Sequence, residues 1–241
     1  MNGGMRLTIL ETGRPPDALA QTWPGYPDMF DSLLTRADES LSFESVAVVD
    51  GSQLPDAAGV EAVLITGSPA GVYDTEPWME ALRRFIQDAA SQRKPMIGVC
   101  FGHQIIADAL GGDVGKSEKG WGVGRHEYQI LEKRPWMSDA GPSFSLSASH
   151  QDQVIAPPAG VTTLARSAHT EHAMLVYDQA PIMSVQGHPE FSDGYSVALY
   201  NVRRGRGLSD EQADTAIESL AAPEDNALVA EWMVRFLRSA R

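Results

Sequence analysis

Between Met96 and Ile106 the chain reads Met-Ile-Gly-Val-Cys-Phe-Gly-His-Gln-Ile-Ile, which is an apolar run of strand character, then Gly98-Val99-Cys100-Phe101-Gly102, then helical spacing. A strand that becomes a helix within so few residues holds its central residue in a strained conformation, and the chain doubles back only where the neighbours lack a Cβ. The flanking glycines therefore predict a nucleophile elbow, with cysteine in the position where such turns commonly carry serine. This turn also sets the thiol at a helix N-terminus, whose partial positive charge favours the thiolate, the reactive form.

The rest of the chain supplies the sheet that such a turn needs. β-rich runs at Met5–Leu10, Phe43–Val49, Ala62–Thr66 and Pro95–Val99 alternate with helical stretches at Asp28–Arg36 and Trp78–Ala90, a pattern that implies parallel strands joined by crossover helices. In the second helix Trp78, Leu82, Phe85, Ile86 and Ala89 recur at three- and four-residue spacing, an apolar face for the sheet. From His126 onward the strand candidates crowd together: Glu127–Leu131, Ser143–Ser147, Gln153–Ala156, Thr162–Arg166, Ala173–Tyr177 and Pro181–Val185. Pro and Gly between them predict hairpins. The C-terminal part returns to helix, with Leu228, Val229, Trp232, Met233, Phe236 and Leu237 as a docking stripe. At 241 residues, 43% hydrophobic and 21% charged, the expected organisation is one α/β domain over residues 1–241, its helical segment from about residue 192 packed on the body.

The net charge of −13 sets up a field that repels phosphate backbones and anionic lipid surfaces, so neither nucleic acid nor membrane is an expected partner. The single cysteine forms no internal disulfide. Its alternatives are an inert buried thiol or a nucleophile. The N-terminal apolar stretch is shorter than a signal-peptide core, and no run approaches the ~20 apolar residues of a membrane span. The expected location is the cytoplasm.

A second element favours the nucleophile. Gln186-Gly187-His188-Pro189-Glu190-Phe191 follows directly on the apolar strand Ile182–Val185. Proline biases His188 toward an extended conformation, in which residues two apart project to one side. His188 and Glu190 then form a base and the carboxylate that orients it. Imidazole accepts the thiol proton and later delivers it to the leaving amine, while the carboxylate fixes the tautomer.

Gly98-Val99-Cys100-Phe101-Gly102-His103-Gln104 together with Gly187-His188-Pro189-Glu190 resembles the class I glutamine amidotransferases, above all the glutaminase domain of guanylate (GMP) synthase, over roughly Met5 to Phe191. The resemblance implies a flavodoxin-like three-layer sandwich around a central mixed, mostly parallel sheet. It implies a Cys100–His188–Glu190 triad that cuts the γ-glutamyl amide of glutamine through a thioester, releasing glutamate and ammonia, with no metal and no cofactor. The oxyanion donors implied are the backbone amides of Phe101 and of Ser68, in the loop Ile65-Thr66-Gly67-Ser68-Pro69. Ser68 stands where the family usually has glycine, and serine resists a positive φ, so a requirement for one would leave the hole imperfectly formed. Gly67 and Gln104 are implied at the substrate. Ser149, His150, Gln151 and Asp152 resemble the segment that receives the α-amino and α-carboxylate ends of glutamine, although many members have glycine where this chain has Gln151.

Two alternatives stay open. Standalone γ-glutamyl peptidases share these motifs and act on γ-glutamyl peptides or glutathione conjugates, whereas a true amidotransferase hands ammonia to a synthetase, here a separate subunit. The remaining possibility is a non-enzymatic thiol sensor or chaperone. Other patterns carry less. Gly111–Ser117 lacks one residue of a phosphate-binding loop and reads as a helix stop and loop. His169, Glu171 and His172 read as a solvated turn, and His103 as a packing residue. The tryptophans are core or groove lining, and Tyr26, Pro27 and Met29 are placed over the cleft.

Overall fold

A computed structural model describes residues 4–240; residues 1–3 and 241 of the expected domain span lie outside the described residues. The elements are, in chain order, β1 (Met5–Glu11), α1 (Tyr26–Ala37), β2 (Leu41–Ala47), β3 (Ala62–Ile65), α2 (Met79–Ser91), β4 (Met96–Val99), α3 (Phe101–Ala109), β5 (Asp113–Lys116), β6 (Gly122–Ile130), β7 (Ser143–His150), β8 (Asp152–Ala156), β9 (Val161–Arg166), β10 (Met174–Tyr177), β11 (Ile182–Val185), α4 (Asp193–Arg203), α5 (Asp210–Ser219) and α6 (Asn226–Ser239).

One large mixed sheet runs β2-β1-β3-β4-β11-β10-β9-β6-β7, and a small one pairs β5 with β8. Strands β2, β1, β3, β4 and β11 are parallel to one another. From β11 outward the pairings become antiparallel. The change follows the sequence: amphipathic helices α1, α2 and α3 lie among the early strands, while no α-helix intervenes between β5 and β11.

The parallel strands are buried on both faces, and their alternation sorts the core. Leu64 of β3 belongs to the cluster that takes Phe30 and Leu34 of α1 and Val229, Trp232, Met233 and Leu237 of α6. Its neighbours Val63 and Ile65 belong to the opposite cluster, with Leu82, Phe85 and Ile86 of α2 and Ile105 and Ile106 of α3. Helices thus cover both faces, giving the expected three-layer, flavodoxin-like α/β architecture. The C-terminal stripe docks as its spacing predicts, and the Trp232 indole donates to Asp139 Oδ1 at 2.9 Å.

Three expectations need correction. Residues 113–116 are strand β5, paired antiparallel with β8, rather than loop; two short extended segments supply each other's backbone partners, which no periodicity in a four-residue run reveals. Tyr26 and Met29 do not roof the cleft but pack behind the site with Phe191 and Tyr195, because apolar rings at the start of α1 find a buried partner there. The 167–173 segment is no free turn: the His172 ring and the Thr163 hydroxyl lie 2.8 Å apart in hydrogen-bond contact, and the ring of His169 sits 5.5 Å from that of His126. Among the described residues no helix is long and apolar enough to cross a membrane.

Candidate active site

The elbow forms as the glycines dictate. Cys100 sits between β4 and α3 at φ 54° and ψ −105°, a left-handed conformation that costs a residue with a Cβ roughly 1–3 kcal/mol. A Cβ on Gly98 would meet the Gly102 carbonyl oxygen at 2.5 Å, and one on Gly102 would meet the Ile65 carbonyl oxygen at 2.1 Å. Glycine at 98 therefore lets the turn close on itself, and glycine at 102 lets α3 lie directly on the end of β3. Of the first helical amides, that of Gly102 donates to the Thr66 carbonyl at 3.1 Å. The Phe101 amide is the first of the helix, where no intrahelical acceptor exists.

Strand β11 lies next to β4 in register, Ser184 beside Gly98 and Val185 beside Val99, so the chain leaves both strands at the same C-terminal edge, where open α/β sheets bind ligands. The Cys100 amide donates to the Val185 carbonyl at 2.9 Å, and the His188 amide to Ser147 of β7 at 2.8 Å. His188 Nδ1 lies 2.7 Å from Glu190 Oε1, both side chains all but fully buried. Because a carboxylate only accepts, Nδ1 carries the proton and Nε2 is turned to the thiol. The Phe191 ring stacks flat on the imidazole, centroids 3.9 Å apart at 4°. Burial alone would depress His188, but the charge of Glu190 and the neighbouring Cys100 raise it to about 10. The base is thus held as an imidazolium beside the sulfur.

Across from the elbow, Thr66-Gly67-Ser68 is fixed by Thr12, whose amide donates to Thr66 Oγ1 at 3.0 Å and whose hydroxyl donates to the Thr66 carbonyl at 3.0 Å. Gly13 packs so closely under this loop that a Cβ would meet Ser68 Cα at 2.6 Å. A Cβ on Gly67 would come within 3.1 Å of His188 Cε1. Ser68 does not need the conformation that serine resists: the only non-glycine residues with positive φ among those described are Arg93 and Cys100.

Cys100, Ser68, Gln104 and the Ser149–Asp152 segment line a cleft of about 260 Å³. Gln104 spends its amide donors on the Asp152 carbonyl at 2.7 Å and Gln186 Oε1 at 3.1 Å, which leaves its oxygen for a ligand. His150 Nδ1 donates to the Asp152 carbonyl at 3.0 Å, so its Nε2 keeps a lone pair; that atom and the Ser149 hydroxyl are buried with no protein partner. Burial pushes His150 well below the ordinary histidine range. The Asp152 carboxylate accepts from the exposed Tyr73 hydroxyl at 2.8 Å. His103 packs, as expected: it is wholly buried against Ser184 Oγ at 2.8 Å and burial lowers it to about 3.

Trp121 lines the cleft, within the expectation that the tryptophans are core or groove lining. The sequence left unmarked Thr12 and Gly13, which position the Ser68 loop, and Tyr73, Lys116 and Arg203, which line the cleft. The small Thr-Gly pair directly after β1 is a readable signal for the first two. The other three come together only in three dimensions. Among the described residues no group of three or more His, Cys, Asp or Glu is arranged to hold a metal ion.

Comparison with known proteins bears on this geometry. The pattern of the family described as glutamine amidotransferase class-I matches residues 29–198. Gamma-glutamyl peptidase 3 of Arabidopsis thaliana is 30% identical over 229 residues, covering 90% of this chain and 90% of the relative. One chain of the glutamine-hydrolysing GMP synthase of Methanosarcina acetivorans is 32% identical over 163 residues, 68% of this chain and 82% of the relative. Among solved structures, a glutamine amidotransferase from Thermotoga maritima superposes with a TM-score of 0.74 at 18% identity, covering 98% of this chain and 96% of that one, which speaks to the fold.

Proposed function

This chain belongs to the class I glutamine amidotransferase family, and from that premise we propose that it is a cysteine amidohydrolase that cuts a γ-glutamyl amide through a γ-glutamyl thioester. The observation that carries the reading is the meeting of a strained Cys100 at φ 54° with a buried His188–Glu190 pair 2.7 Å apart. In this reading the Cys100 sulfur attacks the γ-carbonyl carbon, and the carbonyl oxygen takes up negative charge facing the backbone amides of Phe101 and Ser68. The C–N bond breaks as the His188 imidazolium gives its proton to the departing nitrogen. Water then attacks the thioester, His188 accepts its proton, and the thiolate leaves as glutamate is released. Glu190 holds the imidazole in one tautomer throughout. Gln104, Ser149, His150, Gln151 and Asp152 form the wall for the glutamyl head, and Gly67 leaves room beside the imidazole.

Glutamine is the simplest substrate, with ammonia leaving, and a separate synthetase chain is then the partner that consumes it. A γ-glutamyl peptide is the second reading, favoured by the charged side chains at the cleft, Lys116 and Arg203. The test is intact-protein mass spectrometry after rapid quenching, with glutamine and γ-glutamyl dipeptides, beside Cys100→Ala. A γ-glutamyl adduct in the wild type alone, with glutamate release falling about 10,000-fold or more in the variant, is the expected result. Glutamate release that survives Cys100→Ala overturns the mechanism.

A further inference from the structure

Resting on the thioester reading, we infer that Lys116 and Arg203 form a carboxylate-binding subsite for the leaving group, so that the preferred substrate is a γ-glutamyl peptide whose departing amine carries a carboxylate. Arg203 ends α4, beyond the 29–198 stretch that matches the family pattern, whereas Lys116 and Trp121 lie within it. The Arg203 guanidinium carbon lies 4.8 Å from the centroid of the Trp121 ring. An aromatic platform holds a guanidinium by its face and leaves the in-plane N–H groups free for a planar carboxylate. One of those nitrogens, Nη1, is buried with no hydrogen-bond partner, a cost that an incoming carboxylate would relieve. Gly207, at φ 131°, also packs on Trp121: a Cβ there would lie 3.6 Å from the indole Cζ2.

Lys116, at the end of β5, lines the same cleft. It stands in register opposite Asp152, yet that carboxylate is engaged by Tyr73, and Asp74, the other acid of the cleft, accepts from the Gly71 amide at 2.8 Å. Among the described residues neither Lys116 nor Arg203 makes an ion pair, so the cleft presents two cations open to an anion, within a protein of net charge −13. Glutamine brings one carboxylate and one ammonium. A γ-glutamyl peptide brings a second carboxylate, on the side that departs. The unpartnered Ser149 hydroxyl serves the glutamyl head, and the two cations match the additional charge.

The experiment compares kcat/KM for γ-glutamylglycine, γ-glutamylglycinamide and glutamine, read as glutamate release, in the wild type, Arg203→Gln, Arg203→Lys and Lys116→Gln. The expected result is a preference for the acid over the amide of about ten- to a hundred-fold, the size of one charge-assisted hydrogen bond. Arg203→Gln and Lys116→Gln each pull that acid-to-amide ratio toward one, and Arg203→Lys restores part of it. Lys116 lies on an exposed strand end, so its variant keeps the test open should Arg203→Gln disturb the helix end. Equal rates on acid and amide in the wild type overturn the inference while leaving the thioester reading intact. So does a uniform fall on all three substrates in Arg203→Gln, which would assign that residue to the glutamyl head. A protein that forms no adduct with any of the three loses both.

Discussion

Two neighbouring strand ends do different physical work. β4 and β11 run parallel and in register, and the chain leaves each at the same edge of the sheet. After β4 the path is forced by sterics within a few residues: a left-handed Cys100 and two glycines that admit no Cβ. After β11 it is held by groups far away in sequence. The His188 amide is fixed by Ser147, its ring is clamped between Glu190 and Phe191, and Phe191 is backed by Tyr26 and Tyr195 from two helices. The nucleophile's position is thus built locally, and the base's position is a product of the assembled core.

That contrast breaks first at Gly102. In Gly102→Ala the new Cβ lies 2.1 Å from the Ile65 carbonyl oxygen, a backbone atom that cannot swing away, and the expected loss is about 3 kcal/mol or more in urea unfolding. Gly115→Ala in β5 is the control: its nearest neighbour is a side-chain carbon at 3.8 Å, and stability should stay within about 0.5 kcal/mol. Similar losses in both would mean that the elbow is no tighter than an ordinary glycine position.

Glu190→Gln tests the other strand end. With His188 raised to about 10, above the ordinary 6.5, its protonated form persists across neutral pH. The stability it contributes is fully present below pH 6.5 and is lost as pH rises through about 10, and kcat/KM falls in that same alkaline range as the acid for the leaving amine disappears. Removing the Glu190 charge lowers the imidazole, so the alkaline limb of the pH–rate profile moves to lower pH and kcat drops about 100-fold. An alkaline limb that stays in place would show that Glu190 does not set the charge state of His188.

The smallest effect sharpens the local half. Both Cys100→Ala and Cys100→Gly remove the sulfur, but only glycine is at ease at φ 54°. Cys100→Gly should therefore be the more stable of the pair by about 1 kcal/mol in urea melts, the reverse of the usual order. Equal midpoints would mean that the turn relaxes when the thiol is gone.

Legibility followed the same division. Gly-x-Cys-x-Gly after an apolar strand announced the elbow, because its steric demands are met by adjacent residues. His188 and Glu190 were legible as a pair because an extended chain sets residues two apart on one side. The Ser68 question was posed by the sequence and answered by the backbone, which gives Ser68 no positive φ. Strand β5 is not legible in the sequence because four residues carry no periodicity and pair only with β8. The place of Tyr26 and Met29 in the chain points to the cleft, and packing draws them to Phe191 instead.

The sequence by itself determined the alternation of elements, the strained turn and the chemical identity of the groups at it, since these rest on contacts between near neighbours. Only the tertiary structure decided which remote side chains share the cleft. Lys116 on β5, Trp121 before β6 and Arg203 at the end of α4 meet there because hydrophobic burial of the two core faces folds their carriers around one sheet edge. That driving force is non-directional and leaves no local signature beside the polar residues it brings together.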